Sequence, residues 1–277
     1  MEEYYFLFFF GAAWMLFASV NDFKTREVPN WLNFSLIAVA LAYRGFYSIS
    51  AGSSEFFIYG ILGVLIFTAL GFAFYYGRAF GGGDAKLLFA VGAILPFSRP
   101  EDLILVSAVF VFLLFGIGAA WSFAYSIFLM KGNSRKVIRK FADIDNWKKG
   151  VMAVSFIFGV VLGIYFEGYL RFSFILLGLA PGLYIYAKIM DEVCMIKMIP
   201  AKKLREGDWL YKDARVAGKL IKRSVHGLTN EEIEFLRKHK KSVLIRDGIP
   251  FTINFLFALM VFFWIFFLHG AWIFSLF

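Results

Sequence analysis

The chain contains one cysteine, Cys194, and three histidines, His226, His239 and His269, in 277 residues. A lone thiol closes no disulfide within the chain, and so few thiols and imidazoles cannot assemble a four-ligand zinc site. A disulfide scaffold and a structural zinc fold are therefore excluded, and neither a metal nor a cofactor is expected. Charge is also sparse: only 18% of residues are charged, against 60% hydrophobic and 21% aromatic, with a mean hydropathy of +0.70. That balance excludes an ordinary soluble domain of this size and points to a membrane protein. The net charge of +9 need not signal nucleic acid, because lysine and arginine held in cytoplasmic loops beside anionic lipid give the same excess. Lipid is the expected partner here, and nucleic acid is not.

What is present in abundance is long apolar sequence. Hydropathy marks eight runs, at Tyr5–Val20, Trp31–Tyr47, Phe56–Tyr76, Ala85–Phe97, Leu103–Met130, Val151–Phe166, Phe172–Ile189 and Ile249–Leu276. The expected fold is an all-α polytopic membrane protein of about eight transmembrane helices, within a range of six to eight. The acidic start Glu2-Glu3 lacks the positive region of a cleavable signal peptide, so the first run is read as a helix. The fourth run is short and follows Gly81-Gly82-Gly83, which suggests a helix that begins in a protein-lined cavity. With the N-terminus outside, every lysine and arginine except Arg44, Arg99 and Arg171 falls on the inner side, the bias expected of a plasma-membrane protein in that orientation.

These runs divide the chain into a membrane core at 1–130, a cytoplasmic loop with two further helices at 131–190, a small basic cytoplasmic subdomain at 191–248 and a final helix at 249–277. The subdomain reads as α+β. Met195–Ile199, Trp209–Tyr211 and Val243–Ile245 have strand character around a turn at Arg205-Glu206-Gly207-Asp208. Thr229-Asn230-Glu231-Glu232 has the spacing of a capping box opening a helix through Lys240. Covering helix ends is the preferred role for this subdomain, over contact with substrate or lipid headgroups.

Ionisable groups beside apolar runs are costly and therefore candidates for function. Asp22 directly follows the first run and Asp84 opens the fourth. The chain crosses the membrane twice between them, so both carboxylates return to the same side. Gly81, Gly82 and Gly83 would let backbone approach closely and take positive φ, leaving room for an extended peptide. Two carboxylates held close together share one proton, so one can accept from water while the other donates to a scissile carbonyl. Competing readings remain at this level: an acid favoured by a helix dipole, a solvated loop charge, or a proton-coupled transporter that uses the same two acids. Against a transporter, the sequence shows no convincing internal repeat, and Arg44 is the only charge well inside a run. Lys24 and Lys86 could lower the pKa values of the pair, although lysines at such places ordinarily snorkel to the interface. Pro29 and Asn30 are expected to shape the entrance to the second helix more than to position substrate.

The two segments Asp22-Phe23-Lys24-Thr25-Arg26-Glu27-Val28-Pro29-Asn30 and Gly81-Gly82-Gly83-Asp84-Ala85-Lys86-Leu87-Leu88 resemble the type IV prepilin peptidase family, in particular archaeal preflagellin and prepilin peptidases. The likeness is clear over about residues 10 to 130 and looser beyond. It implies that Asp22 and Asp84 are the catalytic aspartates of a G-x-G-D membrane protease, with Gly81 and Gly83 as the motif glycines. It further implies cleavage of a short basic leader from pilin-like or archaellin precursors at the cytoplasmic membrane face. Relatives that also methylate the new N-terminus carry a cysteine cluster; Cys194 stands alone here, so peptidase activity only is expected. Presenilin-like and signal-peptide-peptidase-like proteases share G-x-G-D. Their first acid lies in a Tyr-Asp pair and a Pro-Ala-Leu motif follows, whereas this chain has Asn21-Asp22 and lacks that tripeptide.

Overall fold

The computed structural model describes residues 2–77, 79–224, 227–239 and 241–269. His226, Arg78, Lys240 at the end of the expected helix and residues 270–276 of the last run lie outside them. Among the described residues there are ten α-helices: α1 (Glu3–Thr25), α2 (Asn30–Ala51), α3 (Glu55–Tyr76), α4 (Gly82–Ile94), α5 (Pro100–Met130), α6 (Ser134–Ala142), α7 (Asn146–Tyr165), α8 (Gly168–Met190), α9 (Asn230–Lys238) and α10 (Ile253–His269). Five strands, β1 (Ile196–Pro200), β2 (Trp209–Leu210), β3 (Ala214–Val216), β4 (Lys219–Ile221) and β5 (Ser242–Arg246), lie between α8 and α10.

Each of the eight apolar runs carries a helix among the described residues. Six of these helices are long and apolar enough to cross a bilayer: α1, α2, α3, α5, α7, and α8 continued through a π-type turn to Met195. The chain is thus a largely helical, multi-pass membrane protein with a small sheet-containing region. The remaining two runs form α4, of 13 residues, and the described 17 residues of α10. The chain separates into two compact units, one holding residues up to Phe123 and from Ile249 on, the other Ala124–Gly248.

In the first unit α4 is the central element. Ala85, Leu87, Leu88 and every residue from Ala90 to Ile94 are buried. A helix apolar all round belongs inside a bundle rather than against lipid or water. Its 13 residues reach only about 20 Å, short of the roughly 30 Å of a hydrocarbon core. It packs against α1, α2 and α3. Glycines permit the closest approach: a Cβ on Gly92 would strike the Gly63 carbonyl of α3, and one on Gly63 would strike that of Gly92.

Ending a helix inside the bundle leaves its last carbonyls without partners. Arg44 of α2, fully buried, fills that role. Its guanidinium donates to the carbonyls of Ala93 (2.8 Å) and Leu95 at the end of α4, and to Phe56 O (2.9 Å) of α3. The same group lies over the Phe56 ring at 4.4 Å. Tyr4 of α1 adds a hydrogen bond from its hydroxyl to Phe97 O at 3.1 Å. The charge of Arg44, well inside an apolar run, is therefore held by backbone oxygens, as a charge away from water requires.

In the second unit α7 and α8 cross at Gly159 and Gly178, where a Cβ on Gly159 would stand 2.7 Å from the Gly178 Cα. Glycine at both positions thus serves close packing of α7 on α8. α6 was not expected: nine residues, SRKVIRKFA, form a short basic helix whose Val137 is buried beside Ile189 and Met190 of α8. The polar stretch that follows α8 forms a three-stranded antiparallel sheet in the order β1-β5-β2, covered by α9 over a core that includes Leu204, Leu228, Leu236 and Val243. The capping box is present, with Thr229 Oγ1 accepting from Glu232 N and Glu232 accepting from Thr229 N at 3.0 Å. The hairpin of β3 and β4 went unread because its two-residue turn is Ala217-Gly218, both with positive φ (47° and 81°). Asparagine or aspartate is the usual first residue of such a turn.

Candidate functional site

Asp22 and Asp84 lie in the same unit, near the C-terminal end of α1 and in the first turn of α4. α1 ends one turn after Asp22, with Arg26 in a left-handed conformation (φ 59°) and its N–H on the Asp22 carbonyl at 2.9 Å. That sharp exit carries Glu27, Val28 and Pro29 back towards the start of α4. Val28 meets the glycine segment there: a Cβ on Gly83 would stand 3.4 Å from Val28 Cβ.

The expected positive φ does not occur at the glycines. Gly81 is extended (φ −70°, ψ 164°) and Gly82 and Gly83 are already helical, with none of the three among the residues of positive φ. Gly81 supplies the carbonyl that accepts the first helical bond, from Ala85 N at 3.0 Å. The value of the glycines here is room, mainly at Gly83, rather than left-handed backbone.

Both carboxylates are half-buried, and both meet Thr252, which immediately precedes α10. The Thr252 N–H donates to Asp22 Oδ2 at 3.3 Å and the Thr252 hydroxyl donates to Asp84 Oδ1 at 3.2 Å. The structure thus brings together two acids from separate helices through a third residue that sequence reasoning missed. The last apolar run was read as one helix from Ile249, whereas α10 begins at Ile253. Pro250 and Thr252 were the available signals, since proline discourages helix at the residue before it and threonine favours the position before a helix.

The segment carrying Thr252 is itself held. Trp121 Nε1 of α5 donates to Pro250 O at 3.0 Å. The Phe251 ring occupies the space left by Gly118, where a Cβ would stand 2.6 Å from it, and packs on Phe80 at 5.4 Å between ring centroids. Phe80 is buried and immediately precedes Gly81. Of the supporting candidates, Lys86 Nζ donates to Asn30 Oδ1 at 2.7 Å, tying the start of α4 to the start of α2. Pro29 directly precedes α2, and Lys24 is exposed. Among the described residues no group of three or more His, Cys, Asp or Glu is placed to hold a metal ion.

A multi-pass helical membrane protein with two acids converging on one threonine at helix termini is the class this geometry defines. Residues 9–130 match the type IV leader peptidase family. Over 89 residues the chain is 35% identical to the preflagellin peptidase of Methanocaldococcus jannaschii, which covers 32% of this chain and 38% of that protein. Over 113 residues it is 32% identical to the prepilin peptidase EppA of Methanothermobacter thermautotrophicus, covering 41% of this chain and 28% of that protein. The preflagellin peptidase of Methanococcus maripaludis is 31% identical over 86 residues, covering 31% and 37%. The chain thus spans less than two fifths of the length of these relatives. Through the segment 9–130, which carries both aspartates, the chain is therefore similar to type IV leader peptidases and to prepilin and preflagellin peptidases.

Proposed function

We propose that this protein is a membrane aspartic endopeptidase that removes the short basic leader from pilin-like or archaellin precursors. The observation that carries the proposal is the convergence of Asp22 and Asp84 on Thr252. Two carboxylates facing one residue cannot both ionise cheaply, so they hold one proton between them. The ionised member takes a proton from water as its oxygen attacks the scissile carbonyl carbon, and the protonated member gives its proton to the carbonyl oxygen. Collapse of the tetrahedral intermediate breaks the C–N bond: the carboxyl that took the water proton gives it to the departing amine, and the other recovers its proton from the intermediate's hydroxyl, which restores the pair. Gly81, Gly82 and Gly83 leave space beside Asp84 for the extended substrate backbone.

Location follows from charge. The basic residues flanking both aspartates support a plasma-membrane protein with its N-terminus outside and its active site at the cytoplasmic face. A precursor with a basic leader in water and an apolar helix in lipid then presents its scissile bond at that depth. Lys86 and Asn30 hold the mouth of the site, and Lys24 lies at the interface. The test is cleavage of a pilin-like precursor by membranes containing the whole chain, alongside Asp22→Asn and Asp84→Asn at matched expression. Cleavage by the parent and by neither variant is expected. Equal cleavage by both variants would overturn the aspartate assignment. No cleavage of any of several precursors by the parent would overturn the peptidase reading in favour of a proton-relay transporter.

A further inference from the structure

We propose that Thr252 is a positioning residue that sets the mutual geometry of Asp22 and Asp84, an inference that rests on the two-aspartate reading above. Thr252 is 1% exposed, and both of its donors are directed to the acids. Its position makes that use notable. A threonine directly before a helix ordinarily accepts from the first free N–H groups of that helix. Here the hydroxyl is on Asp84 instead, across from α10 to α4.

Thr252 is also anchored independently of the acids. Trp121 holds Pro250 O, and Phe251 is wedged over Gly118 against Phe80 and Phe255. The backbone at 252 is therefore a fixed platform from α10, to which one acid from α1 and one from α4 are each tied. Two groups on separate helices would otherwise be free to drift by the ångström that costs a reaction about a hundredfold in rate. The hydroxyl suits an acid that gains and loses a proton, because it donates to a carboxylate and accepts from a carboxylic acid. Both bonds are slightly longer than the usual range, as is common in sites without substrate.

A packing role and a positioning role make opposite demands on the side chain. Valine keeps the shape of threonine and loses the hydroxyl, whereas serine keeps the hydroxyl and loses the methyl. kcat and KM for a pilin-like precursor should be measured with the whole chain in detergent micelles. The comparison set is the parent, Thr252→Val and Thr252→Ser, with Asp22→Asn and Asp84→Asn. We expect Thr252→Val to lower kcat by about 10- to 100-fold with KM within about twofold, and Thr252→Ser to stay within about threefold of the parent. If valine proves poorly folded by thermal unfolding, Thr252→Ala against Thr252→Ser isolates the hydroxyl in the same way. Full activity of Thr252→Val with inactive aspartate variants would overturn the role of Thr252 and leave the aspartate pair standing. Serine as impaired as valine would assign Thr252 to packing and overturn the proposal. Parent-like activity of the aspartate variants would remove the two-aspartate reading and this inference with it.

Discussion

Gly63 of α3 and Gly92 of α4 face each other so closely that a Cβ on either would collide with the carbonyl oxygen of the other. α3 and α4 therefore touch backbone to backbone, and Asp84 stands on the same helix eight residues before the crossing. Gly92→Ala sets two effects against each other. Alanine favours the helix by about 1 kcal/mol, but the obstacle is rigid backbone, and overpacking of this kind costs about 1–3 kcal/mol. The clash should win. Gly92→Ala is expected to lower the melting temperature of the micelle-solubilised chain by several degrees and to reduce turnover by displacing α4. Gly116→Ala on α5 is the control, with nothing within 4 Å of its Cβ position, and should be neutral or slightly stabilising. Equal melting temperatures for Gly92→Ala and the parent would refute this account of the crossing.

Arg44 gives a second prediction, on stability. Replacing it by methionine removes donors to the buried carbonyls of Ala93 and Leu95 and to the half-buried carbonyl of Phe56. A buried group left unsatisfied costs about 1–3 kcal/mol, so the loss should reach several kcal/mol. Arg44→Lys keeps the charge, but a single ammonium lacks the planar fork that reaches three separate oxygens. Thermal unfolding should rank parent, then Arg44→Lys, then Arg44→Met. Methionine as stable as the parent would mean that the end of α4 is held by other contacts.

The glycine segment before Asp84 yields a third prediction, because its members are not equivalent. A Cβ at Gly83 would come into close contact with Val28 at 3.4 Å, whereas one at Gly82 would meet only Tyr75 at 3.8 Å. None of the three needs positive φ, so space alone distinguishes alanine from glycine at these positions. Gly83→Ala is expected to reduce precursor cleavage by about threefold, because its added methyl fills the space between α4 and the segment after α1. Gly82→Ala should remain within about twofold of the parent unless bound substrate occupies that space. Initial cleavage rates at matched expression separate the two, and equal rates for Gly83→Ala and the parent would show that Val28 yields freely.

Much of this arrangement is legible in the sequence. Length and hydropathy identify all eight apolar runs, because a bilayer demands long apolar segments of any chain that crosses it. The capping box at Thr229 and Glu232 was readable because its chemistry is local. What could not be read depends on distant partners. The role of Arg44 is set by carbonyls about 12 to 51 positions away in the chain, and Thr252 meets acids 230 and 168 residues away. The hairpin at Ala217-Gly218 was hidden by an untypical turn residue, and α6 by its brevity between charged neighbours. Within the site, the two acids announced themselves through their place beside apolar runs. Their shared threonine did not, since it lay inside what read as a continuous helix.

The proposed chemistry makes a final prediction about pH. If Asp22 and Asp84 hold one proton between them, catalysis requires the singly protonated pair. At low pH both carboxyls are protonated and neither can accept a proton from water. At high pH both are ionised and neither can protonate the scissile carbonyl. Cleavage should therefore rise and then fall with pH, and the two limbs report the pair rather than either residue. Asp84→Asn and Asp22→Asn each leave a single carboxyl that cannot fill both roles at once, so any residual rate should lose the bell shape. kcat/KM for precursor cleavage by the whole chain, measured across the pH range in which the protein stays folded, checks this directly. A single sigmoidal dependence in the parent would mean that one titrating group suffices, and the paired-carboxylate mechanism would have to be abandoned.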